Sequence, residues 1–465
     1  MLLTLRGEGE PLELVRELDY YFVARSPIPI VVISSKAPES PTRIAAKFAF
    51  YDQPAQDGWY YIGGPPNQSA SGTIHARGQS SLNFSKKSFA LNFGKENPLP
   101  IMGMPASHKW VMIGGYVDTT HIANKVSYDL FSEMGHYGPQ SRFVQVYFQE
   151  RYWGLYTYGE KIQRGKNHVD TPKKSEGGFI VKEVDTDFYD LKSISGRTFD
   201  YEYPDPEDVT PEIAAHIRET IDNYERKVIE GKDWRENLTE ATEIDYFLIT
   251  DAFANPDSYF KDKNLFYFLN QEGKLEPVIW DFIWAFGAPY WRSKNVNPWP
   301  CIYGSSWKCG SCQPSSCASA QGEQGNNQLM YANLVNCGNN QCRYNGFPLM
   351  KYYAADAQNV EMYKERYWNW REGRNGYEPL LSQESLSRRI DALLAPLEAG
   401  EVYRLDYERW DYRTPRYCAP GVDLPYCCNS SILACEESAN MKKKLLDRLD
   451  IMDDEVTEVK VQPLH

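Results

Sequence analysis

The first 300 residues of this 465-residue chain contain no cysteine, and the whole chain has only seven histidines. No apolar stretch approaches the ~20 residues that a membrane-spanning helix needs, and the mean hydropathy is -0.57. Basic residues are in deficit, with 50 Lys plus Arg against 63 Asp plus Glu and a net charge of -13. These absences argue against a membrane span and against a general nucleic-acid binder, whose phosphate partner attracts a surplus of cations.

Three short catalytic motifs are absent as well. The chain has no Gly-x4-Gly-Lys-Ser/Thr loop, no His-Glu-x-x-His and no Gly-x-Ser-x-Gly, which argues against P-loop enzymes, zincins and ordinary α/β-hydrolases. Hydrophobic residues make up 42% of the chain and aromatic residues 14%, which is enough for a large folded core.

All ten cysteines lie in the last third of the chain, six of them within 301–342 among Gly, Ser, Asn and Gln. The remaining four form a second group. Even counts in both groups, without suitably spaced histidines, favour disulfides in an insertion that lacks its own apolar core. A zinc site remains the alternative, because Cys309-x-x-Cys312 and Cys337-x4-Cys342 have nearly acceptable ligand spacing.

Asn-x-Ser/Thr sequons also support an oxidising compartment. They begin at Asn67, Asn83, Asn237 and Asn429. The first ten residues are too polar for a signal peptide, so a secreted protein would need a leader outside this sequence. We therefore expect a secreted or cell-surface protein. The alternative is that the protein is not secreted.

A short apolar run at 28–33 and further segments, several with alternating apolar residues, predict strands in the first half. The segments are 28–33, 44–51, 88–93, 143–148 and 153–158. Asp118 is a suitable N-cap for a helix in which apolar residues recur every four positions from Ile122 to Met134, with Gly135 ending it.

The second half favours helices around one β-hairpin. The predicted helices are 242–254, 361–371 and 383–397, and the hairpin strands are 264–269 and 274–280, turning at Glu272-Gly273. Strands followed by helices predict an α+β protein with a cleft between two lobes. We predict an extension over 1–26, a strand-rich N-terminal lobe over 27–190 and a helical C-terminal lobe over 191–465, which includes the cysteine-rich block.

Three polar residues near strand ends are candidates for phosphoryl-transfer chemistry. Asp281 ends an apolar strand among aromatic residues, where a carboxylate can hold a divalent metal. Asp257 follows a predicted helix and Asn264 opens the hairpin. One acid can deprotonate an acceptor hydroxyl while the amide and the other acid hold magnesium. The alternative is that they are ordinary turn and capping residues.

A second group of candidates is cationic. Lys87 falls on the same predicted strand face as Phe89, and a cation on a buried face needs an anion such as a carboxylate or a nucleotide phosphate. Glu160 is a candidate partner, whereas Lys86 is predicted to point into solvent. The alternative for Lys87 is a snorkelling lysine at a strand start.

In their order along the chain, these segments resemble one family, the CotH (spore coat protein H) kinases, from about residue 27 to residue 410. The matching segments are Arg77-Gly-Gln-Ser-Ser81, Lys86-Lys87-Ser-Phe, Trp110 with Asp118, Phe143-Val-Gln-Val-Tyr with Tyr152-Trp-Gly-Leu-Tyr-Thr-Tyr-Gly-Glu160, Gly177-Gly-Phe-Ile-Val and Trp280-Asp281.

The resemblance implies a bilobal, atypical protein-kinase-like fold. It also implies transfer of phosphate from ATP, with Mg²⁺ or Mn²⁺, to Ser or Thr of extracellular or coat proteins. The residue roles that it implies are ATP phosphate contacts for Lys87 with help from Arg77, an ion pair or nucleotide-pocket role for Glu160, acid/base catalysis for Asp257, and metal binding for Asn264 and Asp281.

Two departures from the family pattern keep other functions open. The family usually has Asp-x-Asp or Asp-x-Asn after the tryptophan, where this chain has Asp281-Phe-Ile283, and often has Arg-Asn where this chain has Ala123-Asn124. A pseudokinase scaffold, coat protein or adhesin is therefore the main alternative. A metal-dependent glycosyltransferase, suggested by Asp185-Thr-Asp187, is a lesser one, and transfer of AMP instead of phosphate also stays open.

Overall fold

The computed structural model describes residues 24–78, 80–184, 186–253, 255, 264–283, 285, 349–399, 401–410, 434–459 and 461. Nine of the ten cysteines, including all of those in 301–342, lie outside these residues, as do Asn429, Asp185 and Asp257. The predicted disulfide-rich insertion and its zinc alternative therefore fall outside the part of the chain that the structure describes.

The described residues form a mixed α+β protein, as the sequence predicts. The strands are β1 Ala24–Ser26, β2 Ile30–Ile33, β3 Ile44–Tyr51, β4 Tyr60–Ile62, β5 Gln68–Arg77, β6 Ser88–Asn92, β7 Lys109–Ile113, β8 Ser141–Phe148, β9 Arg151–Glu160, β10 Ile180–Glu183, β11 Leu191–Lys192, β12 Thr198–Tyr203, β13 Phe266–Leu269 and β14 Leu275–Val278. The helices are α1 Ile122–Glu133, α2 Pro211–Glu230, α3 Glu240–Ala252, α4 Met350–Ala355, α5 Ala357–Glu372, α6 Gln383–Ala399, α7 Val402–Arg409 and α8 Ala434–Glu458. Within the described ranges, none of these helices is both long and apolar enough to cross a membrane.

The chain divides into two compact units, each assembled from separated stretches. The first comprises Met1–Gly114, Arg142–Tyr158 and Ala395–Asp411, and the second comprises Gly115–Ser141, Gly159–Leu394 and Tyr412–His465. The sequence predicts one boundary between lobes, after residue 190, and that boundary stays a prediction. The bilobal kinase-like arrangement stays a prediction.

The first unit contains a closed barrel with the strand order β2-β3-β5-β6-β7-β9-β8. Alternate residues of each strand point inward, and aromatic rings fill the interior, where Trp110 stacks on Tyr158 with ring centroids 5.2 Å apart. The barrel closes through a parallel pairing of β2 with β8, which places Ile30 opposite Gln145.

Helix α7 is attached to this barrel through a buried ion pair. The Lys86 ammonium lies 2.7 and 2.8 Å from the two carboxylate oxygens of Asp406, and both side chains are inaccessible to solvent. Asp406 also accepts the amide N–H of Leu155 at 2.8 Å. The prediction that Lys86 is solvated is wrong, because β6 begins at Ser88 and its alternation does not extend back to Lys86.

Gly154 allows this close approach, and Gly154→Ala is expected to destabilise the protein by about 1–3 kcal/mol. Its φ is +133°, and an added Cβ would lie 2.4 Å from the Asp406 Oδ1 and 2.8 Å from the Trp410 Nε1. Urea unfolding measures the loss. Gly58→Ala is the matched control, because Gly58 also has a positive φ, +82°, with no atom within 4 Å of the added Cβ. Equal losses in both variants would contradict the steric explanation.

The second unit contains a five-stranded antiparallel sheet with the order β11-β12-β10-β13-β14. The predicted hairpin is confirmed as β13–β14, with Gly273 in the turn at φ +78°. The predicted helix α1 is also confirmed, but its N-cap residue is His121. Asp118 lies further back and accepts the amide N–H of Ala123 at 2.9 Å, so it still stabilises the first turn.

Candidate functional site

Hairpin β13–β14 places two of the predicted site residues at the same end. Phe266 pairs with Val278, so Asn264, two residues before Phe266, and Asp281, three residues after Val278, leave the hairpin on one side. Their backbones have φ values of +63° and +59°, a left-handed conformation that is uncommon outside glycine. Uncommon conformations of this kind cluster at functional sites.

The chain that follows α3 reaches the same end of the hairpin. Asn255 is buried, and its Nδ2 lies 3.5 Å from the carbonyl oxygen of Asp281. Asp257, the predicted acid/base residue, is two positions further along and lies outside the described residues. The structure therefore brings Asn255, Asn264 and Asp281 to one end of the hairpin.

Helix α1 contacts the backbone around Asp281. The Asp281 amide N–H donates to the Tyr128 hydroxyl at 2.9 Å, and the Phe282 amide N–H donates to the Asn124 Oδ1 at 2.6 Å. The Tyr128 ring also stacks on Trp280, with centroids 6.1 Å apart and ring planes 13° apart. Two consecutive backbone donors are thus bound by side chains of one helix.

A buried network of charged side chains includes Tyr267 of β13. The Arg197 guanidinium donates to both Glu183 oxygens at 2.8 and 2.9 Å, and the Tyr267 hydroxyl donates to Glu243 at 3.0 Å. Burial raises the pKa of Glu243 to about 8, although Arg197 and the Tyr267 hydrogen bond act in the opposite direction. Burial therefore favours the protonated form of Glu243 in the folded protein.

Glu243→Gln is expected to flatten the pH dependence of stability between pH 4.5 and about 8. The folded pKa lies above the ordinary value, so the folded state binds more protons in this interval and the wild type loses stability as pH rises through it. Gln keeps the neutral form at all pH values. Urea unfolding at several pH values measures the slope, with exposed Glu219→Gln on α2 as the charge-loss control. An unchanged slope in Glu243→Gln would contradict this prediction.

The predicted cations of the first unit lie at the ends of two paired strands. Arg77 ends β5 opposite Ser88, the first residue of β6, and Lys87 directly precedes Ser88. The Lys87 ammonium donates to the carbonyl oxygens of Leu82 and Phe84 at 3.1 and 3.0 Å. It also lies 3.6 Å from the carboxylate of Glu39.

Glu160 lies buried in the second unit with partners of its own. Its Oε2 accepts the amide N–H of Gln140 at 2.8 Å, and its Oε1 lies 2.7 Å from the Nδ1 of His168. The sequence predicts Glu160 as the ion-pair partner of Lys87. Within the first unit, the carboxylate of Glu39 lies beside the Lys87 ammonium. The predicted roles of Glu160 and Lys87 toward nucleotide stay predictions.

The family comparison covers the part of the chain that contains the predicted site residues. The family model for the CotH kinase protein matches residues 74–416. This chain belongs to the CotH kinase family. A search of curated proteins finds no match to the chain. The matched range of the CotH kinase model contains all six residues to which the sequence assigned a role: Arg77, Lys87, Glu160, Asp257, Asn264 and Asp281.

The donor atoms at the hairpin end suit the metals expected of a CotH kinase. Magnesium prefers oxygen ligands and is often bound by one or two carboxylates, with phosphate and water oxygens completing its shell. Asn264 and Asp281 offer an amide oxygen and a carboxylate, so they fit Mg²⁺ or Mn²⁺. In the ranges that the structure covers, no group of three or more His, Cys, Asp or Glu side chains is arranged to hold a metal ion.

The contacts that α1 makes with the segment around Asp281 are not predicted from the sequence. In the sequence, Asn124 stands out only because it follows the alanine that departs from the family pattern, and no local motif marks Tyr128. The helical periodicity carried a signal, since Asn124 and Tyr128 are four residues apart and therefore share one helix face. Nothing in the local pattern indicated that this face meets Asp281.

Proposed function

We propose that this CotH kinase family member transfers the γ-phosphoryl group of ATP to Ser or Thr side chains of a protein, with Mg²⁺ or Mn²⁺. The observation that carries the proposal is the common end of hairpin β13–β14, where Asn264 and Asp281 emerge beside the chain leading to Asp257. An amide, a metal-binding acid and a second acid are the groups that phosphoryl transfer requires.

In this proposal each residue has one task. Asp281 and Asn264 would hold the cation, which would neutralise part of the negative charge of the phosphates. Asp257 accepts the proton of the acceptor hydroxyl while the oxygen of that hydroxyl forms a bond to the γ-phosphorus. The bond from that phosphorus to the β–γ bridging oxygen breaks, and ADP leaves. Arg77 and Lys87 supply positive charge for the phosphates, which requires Lys87 to exchange its carbonyl and Glu39 contacts.

The proposal is tested with ATP labelled either at the γ- or at the α-phosphate, together with Mg²⁺ or Mn²⁺ and a Ser-rich protein acceptor. We expect acid-stable label on the acceptor only from γ-labelled ATP, and none after addition of EDTA. Transfer only from α-labelled ATP would mean that AMP is transferred. Transfer of label from a nucleotide sugar instead would favour the glycosyltransferase.

A scaffold without catalytic activity is the second candidate, and Ile283 at the place of a second acid favours it. ATP with Mg²⁺ is expected to raise the unfolding temperature of an active kinase, because a ligand that binds the native state stabilises it by ~2.7 kcal/mol at 100 times its Kd. Differential scanning fluorimetry measures the shift, with ATP plus EDTA as the control. No shift and no transfer would favour the scaffold, whose surface or extracellular location we propose from the sequons and the family.

A further inference from the structure

We infer that Asn124 and Tyr128 of α1 are positioning residues that hold Asp281 in the conformation in which it binds the divalent cation. The inference rests on the proposed function, because it takes Asp281 as a metal ligand. It adds a role for α1 in that site, a helix whose residues come about 150 positions earlier in the chain.

The segment around Asp281 alternates between buried and accessible residues. Trp280 is 5% exposed and Phe282 is fully buried, whereas Asp281 between them keeps part of its surface accessible. Burial of the two aromatic neighbours fixes the positions of the flanking residues. It does not fix the rotation of the peptide groups on either side of Asp281, on which the direction of the Asp281 side chain depends.

The two hydrogen bonds that side chains of α1 accept fix the rotation of these peptide groups. A left-handed backbone at φ +59° is less favourable for a non-glycine residue than the usual α or β conformations. The amide N–H groups of Asp281 and Phe282 point at the Tyr128 hydroxyl and the Asn124 Oδ1 in this conformation. An unpaired amide N–H beside the buried Phe282 is costly, so the two side-chain acceptors favour the left-handed state.

The Tyr128 ring adds a second contact with the same segment, because it stacks on Trp280. Tyr128 therefore acts on both the backbone and the side chain preceding Asp281. Asn124 is buried, as is Phe282, so water cannot readily replace the lost acceptor. A displacement of α1 would change the conformation of Asp281 through these contacts.

The experiment uses the full chain with Tyr128→Phe, which removes the hydroxyl and keeps the stacked ring, and Asn124→Leu, which removes the acceptor and keeps the number of side-chain heavy atoms. Ser127→Ala is the matched control. Ser127 is buried on the same helix, and its hydroxyl donates to the Ala123 carbonyl oxygen within α1. Manganese affinity is measured by electron paramagnetic resonance, and hydrogen exchange of the Asp281 and Phe282 amides is measured on the metal-free protein.

Each positioning variant is expected to bind Mn²⁺ about tenfold more weakly, the scale of one lost hydrogen bond, and to exchange these amides faster. Excess Mn²⁺ is expected to restore phosphoryl transfer, which it would not do after general structural damage. Unchanged affinity in both variants would overturn the inference. Wild type that binds Mn²⁺ without transferring phosphate would defeat the proposed function alone, and wild type that does not bind Mn²⁺ would overturn the inference as well.

Discussion

Asp281→Ala is expected to lower the rate of phosphoryl transfer by about 10²–10³-fold, the usual cost of removing one group that stabilises transition-state charge. Asn264 supplies an uncharged oxygen, and Ile283 stands where the family usually has a second acid. In the proposed mechanism, Asp281 is therefore the acid on which cation binding at this end of the hairpin depends. The γ-labelled ATP assay measures the rate across a range of Mn²⁺ concentrations.

Alanine at position 281 also tests the backbone, since φ is +59° there and alanine tolerates this conformation poorly. Asp281→Asn separates the two effects, because asparagine tolerates the left-handed region and keeps an oxygen donor while losing the charge. Asp187→Ala, at an exposed acid of the Asp-x-Asp motif, is the matched control and should keep full activity. Equal activity of Asp281→Asn and wild type at low Mn²⁺ would remove Asp281 from the mechanism.

The elements that sequence periodicity predicted are those whose pattern is local. Residues 44–51 alternate and form β3, and the Glu272-Gly273 turn joins the predicted hairpin. The barrel was not predicted, because its closure depends on pairing β2 with β8, which are separated by more than 100 residues. A pairing of this kind leaves no mark on the local alternation of either strand.

The candidate site also has features that the local sequence predicts and features that depend on residues distant in the chain. Asn264 and Asp281 could be predicted because both lie just beyond strands of one hairpin, and hairpin register is a local property. Their positive φ values and the contacts with α1 could not, since Tyr128 is 153 residues from Asp281 in sequence. Lys86 shows the opposite failure, because the prediction extends the strand alternation two residues back from Ser88, where β6 starts.

Asp406→Ala is expected to destabilise the protein by about 3–5 kcal/mol, because it leaves Lys86 buried without its counter-charge. Burial already lowers the pKa of Lys86 from 10.5 to about 8, with Asp406 acting in the opposite direction. The unfolded state therefore binds more protons between pH 8 and 10.5, and the contribution of Lys86 to stability rises with pH across this interval. Without Asp406, the rise is expected to begin at lower pH. Urea unfolding from neutral to alkaline pH measures both effects.

The control is Glu408→Ala on the same helix, where the Glu408 carboxylate pairs with Arg404 at the surface. Solvent screens that pair, so little change is expected. The double variant Lys86→Met/Asp406→Asn should recover most of the loss, because it removes both buried charges and keeps an oxygen that can accept the Leu155 amide N–H. If Asp406→Ala were no less stable than Glu408→Ala, the ion pair would not attach α7 to the barrel. If the double variant were as unstable as Asp406→Ala, the loss would come from packing and not from an uncompensated charge.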